Sequence, residues 1–228
     1  MNKNFIAAIV MMCMCTFANA QRISRVTIMN SGALNGFSVL TSPDNVTINL
    51  SPDGDITEFG TEYQSERIQD YTRIEKYLGR VEYYTNMDDA AFRGKVKYIG
   101  GTQIMYYASY EADSLKGKVK SIGIVQLDYY RPYDDAIVRG KIKSFGSNAV
   151  TYYTSFDNEA LRGKLKSLGS VQLTYYSSYD DKAFKGKVKS IGNVNYTYYS
   201  SFDRNYAGSF KTGTQNVYAN GINFYIKY

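Results

Sequence analysis

The chain has 228 residues, with 27 Lys and Arg against 21 Asp and Glu, no histidine or tryptophan, and 24 tyrosines. A net charge of +6 is mildly basic and by itself a weak nucleic-acid signal, while so many aromatics exclude an intrinsically disordered chain. Without histidine, Ser-His and Cys-His nucleophile arrangements are excluded.

The opening residues, "MNKNFIAAIVMMCMCTFANAQ", place Lys3 before an apolar run from Phe5 to Phe17 and then Ala18-Asn19-Ala20. This is the pattern of a secretory signal peptide (residues 1–20), and its apolar run is too short to span a bilayer. The expectation is an exported protein, either periplasmic, on the cell surface or extracellular. Cys13 and Cys15 lie inside the leader, so the mature chain is expected to use no disulfide, thiolate metal site or cofactor. Losing Lys3 lowers the mature charge from +6 to +5.

Residues 21–60 contain "RVTIMN", "FSVL" and "NVTINL", which alternate as strands, and the turn Ser51-Pro52-Asp53-Gly54-Asp55. They read as an N-terminal β-cap continuous with the repeat array of the central residues. Asn45-Val46-Thr47 and Asn195-Tyr196-Thr197 match the glycosylation sequon and are read as incidental. Residues 61–82 align as a degenerate copy of a repeat. Tyr63 falls on a doublet tyrosine, Tyr71 on the residue before a glycine, and Tyr77-Leu78-Gly79 on Tyr98-Ile99-Gly100.

From Tyr83 the repeat is explicit. Tyr-Tyr doublets begin at Tyr83, Tyr106, Tyr129, Tyr152, Tyr175 and Tyr198, a constant step of 23, and two glycine series keep that step. Five units run from Tyr83 to Thr197; residues 198–228 read as a degenerate last unit and a hairpin cap, turning at Asn220-Gly221. In one strand of a unit Val171, Leu173 and Tyr175 alternate with Gln172, Thr174 and Tyr176. In the other, "FKGKVKS", Lys185, Lys187 and Lys189 alternate with Phe184, Gly186 and Val188. Ile191 breaks that parity, which predicts a bulge near Ser190. The fold class is therefore all-β: an extended antiparallel meander of tandem 23-residue β-hairpin repeats with atypical capping strands at both ends, the five units spanning about 48 Å.

Neighbours on a strand face opposite ways. The first tyrosine of each doublet is thus expected on the Val/Leu face. The second (Tyr107, Tyr130, Tyr153, Tyr176) is expected among the cations on the other face.

Those cations are the sharpest candidate site. Arg93/Lys95/Lys97 recurs as Lys116/Lys118/Lys120, Arg139/Lys141/Lys143, Arg162/Lys164/Lys166 and Lys185/Lys187/Lys189. At i, i+2, i+4 each trio would share one face, giving three parallel rows for an acidic glycan, lipopolysaccharide or another polyanion, with nucleic acid disfavoured by the modest net charge. Interleaved tyrosines would stack on sugar rings, whereas a solvated face that blocks edge association would need the same lysines. Acidic pairs (Asp88-Asp89, Glu111 with Asp113, Asp134-Asp135, Asp157 with Glu159, Asp180-Asp181) lie in one turn of each unit and read as turn chemistry before calcium ligands. Residues repeated in every unit describe a lattice, whereas catalysis needs one special place. No catalytic or metal residue is expected.

The stretches Phe92-Arg93-Gly94-Lys95-Val96 and Phe184-Lys185-Gly186-Lys187-Val188 resemble the openings of MORN repeats, with an aliphatic residue where those carry an aromatic. The resemblance covers residues 83–197. It implies a binding or scaffolding sheet, sometimes at membrane surfaces, and no enzyme. Single-layer β-sheet surface lipoproteins of spirochaetes are similar in architecture.

The expected function is a non-enzymatic envelope protein that binds or organises glycan or polyanion, with edge-to-edge self-association as a further option. The rival is an outer-membrane β-barrel, suggested by Ile222, Phe224, Ile226 and Tyr228 alternating to an aromatic terminus.

Overall fold

The computed structural model describes residues 22–64 and 72–227. The leader, Tyr71 and Tyr228 lie outside the described residues. The repeat folds as a meander because each unit carries two glycines in the left-handed region, where other residues are strained. Gly100, Gly123, Gly146, Gly169 and Gly192 (φ +54 to +57°) open two-residue hairpin turns, with only the first central residue at positive φ, as type II′ turns require. Gly94, Gly117, Gly140, Gly163 and Gly186 (φ +73 to +78°) end the acidic turn and start a glycine bulge. In one unit the Gly117 amide donates to the Tyr107 carbonyl while the Tyr107 amide donates to the Lys118 carbonyl.

The resulting strands are β6 (Val81–Tyr83), β7 (Val96–Ile99), β8 (Thr102–Tyr106), β9 (Val119–Ile122), β10 (Val125–Tyr129), β11 (Ile142–Phe145), β12 (Asn148–Tyr152), β13 (Leu165–Leu168), β14 (Val171–Tyr175), β15 (Val188–Ile191) and β16 (Val194–Asn195). They form one 11-stranded sheet in sequence order, the antiparallel hairpin meander that the 23-residue step predicts. The meander continues through β17 (Thr197–Tyr198) and β18 (Phe210–Thr212), the frayed last unit.

The bulge expected near Ser190 is present: Thr174 opposes Ser190 but Tyr175 opposes Val188, leaving Lys189 as the extra residue. The strand after the acidic turn is shorter than expected. Lys187 donates its amide to the Phe184 carbonyl across a turn, so Lys185 and Gly186 belong to that turn and the strand begins at Val188.

The N-terminal residues correct the β-cap expectation. Strands β1 (Arg22–Met29), β2 (Leu34–Leu40), β3 (Val46–Leu50), β4 (Ile56–Gln64) and β5 (Thr72–Lys76) belong to a separate seven-stranded sheet. That sheet also takes the C-terminal hairpin of β19 (Asn216–Ala219) and β20 (Ile222–Lys227). Its order is β19-β20-β1-β2-β3-β4-β5, with β20 parallel to β1. Tyr63 thus sits in β4 of this sheet, and only β6 of the supposed degenerate copy joins the array. The Asn220-Gly221 turn forms as expected, both residues at positive φ, but its hairpin completes the second sheet and does not cap the array.

The second sheet covers the Val/Leu/Tyr face, so the architecture is two-layered. Alternate residues of both sheets share one core, including Val26, Ile28, Val39, Ile48, Phe224 and Ile226 from one and Ile104, Leu127, Ile142, Val150, Leu168 and Val188 from the other. Phe37 meets Phe145 edge-on at 5.0 Å. Turns of the covering sheet also reach the array's edges. The Ile142 amide donates to the Pro52 carbonyl (2.9 Å), and the Gly101 amide to Asp44 Oδ2 (2.8 Å). Both sheets keep free edge strands, β6 and β16 in one and β5 and β19 in the other, so the described residues close no barrel.

Candidate functional site

The two tyrosines of a doublet have different jobs. The first lies in the core: Tyr106, Tyr129, Tyr152 and Tyr175 are buried, and the Tyr129 hydroxyl donates to the Val119 carbonyl at 2.6 Å. The second follows the strand end and leans onto the next unit. Tyr107 donates its hydroxyl to the Leu127 carbonyl at 3.0 Å, and Tyr130, Tyr153 and Tyr176 do likewise to Val150, Leu173 and Tyr196, each 20 residues on. Each also meets the next first tyrosine edge-on, as Tyr107 meets Tyr129 at 6.1 Å. These four rings are half-buried inter-repeat ties, not the open stacking platform expected from alternation alone.

The cation trios are also split, because the glycine bulge and the extra strand residue both alter parity. The second cation of each trio lies over a first tyrosine, for example Lys118 Nζ 5.1 Å from the Tyr129 ring centre. Its ammonium is spent on carbonyls: Lys95, Lys141 and Lys187 donate to Gly117, Gly163 and Gly208, while Lys118 and Lys164 reach Asp53 and Ser31 in turns of the covering sheet. Burial pushes the Lys141, Lys164 and Lys187 ammonium groups below the usual lysine range.

The third cation (Lys97, Lys120, Lys143, Lys166, Lys189) lies over a second tyrosine at 5.1–5.4 Å, and Lys120 is also paired with Glu111 at 2.8 Å. Only the first cation (Arg93, Lys116, Arg139, Arg162, Lys185) is exposed in every unit, in the acidic turn. The one-face row of fifteen charges is therefore corrected to a single exposed row along the turns, with Lys143, Lys166 and Lys189 exposed on the sheet.

The acidic turn itself is built by its carboxylates. Asp88 accepts from the Thr85 amide at 2.6 Å, and Asp134, Asp157, Asp180 and Asp203 do the same for Arg131, Thr154, Ser177 and Ser200. Hydrogen bonds from Thr85 hold the Asp88 carboxyl below the usual range. The next residue clamps neighbouring units. Asp89 accepts from the Ser109 amide and hydroxyl, Asp135 from Ser155, and Asp181 from Ser201; Asn158 replaces the acid and pairs with Ser178. Ala112 holds the clamp position where the facing residue is Pro132, which has neither amide hydrogen nor hydroxyl to offer. Acceptor and donor are lost together, so nothing is left unpaired. Among the described residues no three carboxylates gather as a metal site.

Each capped turn presents one side chain to solvent. Tyr110, Tyr133, Phe156, Tyr179 and Phe202 are 87, 85, 94, 94 and 90% exposed, and Met87 holds the same position in the first unit at 96%. Large aromatics with so little contact are held out by the turn, since Tyr179 occupies its third position and Asp180 closes it. Successive rings stand two strands apart, about 9.5 Å along the edge. The exposed cation belongs to the same turn: Arg139 Nε donates to the Asp134 carbonyl, one residue from Tyr133, and Arg162 Nε to Asp157, beside Phe156. The signal for this row was in the sequence as an aromatic three residues after each doublet. Strand alternation says nothing about a turn tip, so the position passed as part of the repeat.

Comparison with protein-family models, curated proteins and solved structures gives no match for this chain.

Proposed function

We propose that this is an exported, non-catalytic β-repeat protein that binds or organises an extended envelope polymer along its turn edge. The observation that carries this reading is the periodic row of solvent-held aromatics, Tyr110, Tyr133, Phe156, Tyr179 and Phe202. Isolated exposed apolar residues are ordinary on a surface. Five at one repeat position, each with a cation in its own turn, form a one-dimensional pattern that suits a linear ligand with a repeating unit. Aromatic faces stack on sugar rings, and an exposed guanidinium or ammonium attracts carboxylate or phosphate. The ligand class that uses both is an acidic glycan, and such binding weakens as salt screens the exposed charges.

The test is sedimentation of the full chain with peptidoglycan sacculi, and affinity electrophoresis through lipopolysaccharide and a polyuronate gel. At least one polymer is expected to retain the protein at low salt. Truncating an interface aromatic costs about 1 kcal/mol or more, so combining Tyr133→Ala, Phe156→Ala and Tyr179→Ala should weaken retention about a hundredfold. Removing Lys143, Lys166 and Lys189 from the sheet should change it far less. No retention by any of these polymers, or equal retention of the aromatic triple variant, would remove the proposal.

A further inference from the structure

The covering sheet has an outer face of its own, and it is concave. Residues at alternate positions of β1–β5, β19 and β20 line a cleft of about 760 Å³, within the size range of small-molecule sites. Its floor is polar: Arg25 from β1, Asn49 from β3, Glu58 and Glu62 from β4, and Asn223 and Tyr225 from β20. These side chains point outward because their neighbours Val26, Ile48, Phe224 and Ile226 fill the core.

Part of the floor is internally satisfied. Arg25 Nη2 donates to Glu62 Oε2 at 3.0 Å, Ser38 Oγ to Asn49 Oδ1 at 2.7 Å, and Asn223 Nδ2 to Asn216 Oδ1 at 3.3 Å. Two acceptors are not. Glu62 Oε1 and Asn223 Oδ1 are buried and have no hydrogen-bond partner among the described residues. Buried polar atoms are normally paired, so two unpaired acceptors in one cleft call for a molecule that brings donors.

Charge narrows the class. An anion would meet Glu58, Glu62 and the two bare acceptor oxygens, and a cation would meet Arg25 and Arg73. A neutral ligand rich in hydroxyl groups meets neither penalty. Its O–H groups can donate to Glu62 and Asn223 and accept from Arg25, while the outward ring of Tyr225 offers a stacking face. We infer that this cleft binds a neutral saccharide, at a site separate from the turn edge and on the opposite side of the molecule from the array.

The test is a titration of the full chain with glucose, galactose, N-acetylglucosamine and their β-linked disaccharides to about 10 mM, the weak end of the affinity scale, followed by amide chemical shifts. The expected result is saturable shifts at Glu62, Asn223 and Tyr225, with affinity about tenfold weaker in Asn223→Ala and in Glu62→Gln. Asn223→Ala leaves the Arg25–Glu62 pair in place, so it decides the matter if Glu62→Gln fails to fold. The turn-edge triple variant should bind the same sugar unchanged. The inference is overturned if no sugar shifts the spectrum, if Asn223→Ala binds as tightly as the parent, or if the shifts fall on Phe156 and Tyr179. The last outcome would remove the cleft while leaving the turn-edge proposal standing.

Discussion

Replacing Tyr129 with alanine is expected to cost about 3–5 kcal/mol of stability, the range for deleting a large buried aromatic. The ring is fully buried between the two sheets. Tyr107 packs on its edge, Lys118 lies over its face, and its hydroxyl holds the Val119 carbonyl. From the covering sheet, the Gly54 backbone comes so close that a Cβ there would fall 2.2 Å from the Tyr129 hydroxyl oxygen. Glycine at φ +87° is therefore needed on the other side of the contact. Truncation leaves a cavity that rigid strands on both sides cannot fill. Tyr129→Phe should cost about 1–3 kcal/mol, because it keeps the packing but strands the Val119 carbonyl. Phe156→Ala at a turn tip should stay within about 0.5 kcal/mol of the parent. Equilibrium unfolding in urea measures all three, and a Tyr129→Ala loss no greater than that of Phe156→Ala would contradict the two-layer packing.

Above pH 10 the molecule is expected to unfold cooperatively as tyrosines ionise. Burial, the largest cause in each case, pushes the Tyr106, Tyr129, Tyr152 and Tyr175 hydroxyls upward. These groups stay neutral in the folded chain at pH values where an unfolded tyrosine, with its usual value near 10, has lost its proton. Stability from them is fully present below about pH 10 and falls as pH rises beyond it. Four such groups give a slope of roughly 5 kcal/mol per pH unit, enough to exhaust an ordinary domain's stability within about two or three units. Lys141, Lys164 and Lys187 act in the opposite sense. Burial lowers their values, so they add stability as pH rises toward the usual lysine range and nothing beyond it. Tyrosinate absorbance and far-UV circular dichroism recorded together against pH should show an early class that ionises with the fold intact, then a late class that ionises as ellipticity collapses. A single class ionising near pH 10 with ellipticity unchanged would contradict the buried first-tyrosine row.

The meander was readable because its determinants are local. Two positive-φ glycines per unit, alternation in "VQLTY" and the parity break at Ile191 are all written within 23 residues. The covering sheet was not, since nothing local says that Arg22–Met29 pairs with Ile222–Lys227 across nearly the whole chain. Its strands alternate like any half-buried strand and fit an edge cap equally well. The cation rows misled for a different reason. Period two holds only inside a strand, and Arg93 and Gly94 lie in a turn while Lys189 is the extra residue of a bulge. Spacing put three charges on one face; the backbone irregularities sent Lys118 and Lys164 toward the covering sheet and left the first cation beside the turn aromatic. The acidic turn was legible as turn chemistry, but its product, a ring held in solvent, is visible only once the carboxylate caps are in place.

The most direct measurement is tyrosine nitration of the native chain, mapped by peptide mass spectrometry. Fast modification at Tyr110, Tyr133 and Tyr179, with Tyr129, Tyr152 and Tyr175 untouched until denaturant is added, is the predicted result. Equal modification of both tyrosine classes in the native protein would mean that the doublet face is uncovered, and would contradict both the two-layer fold and the turn edge as the surface that meets a ligand.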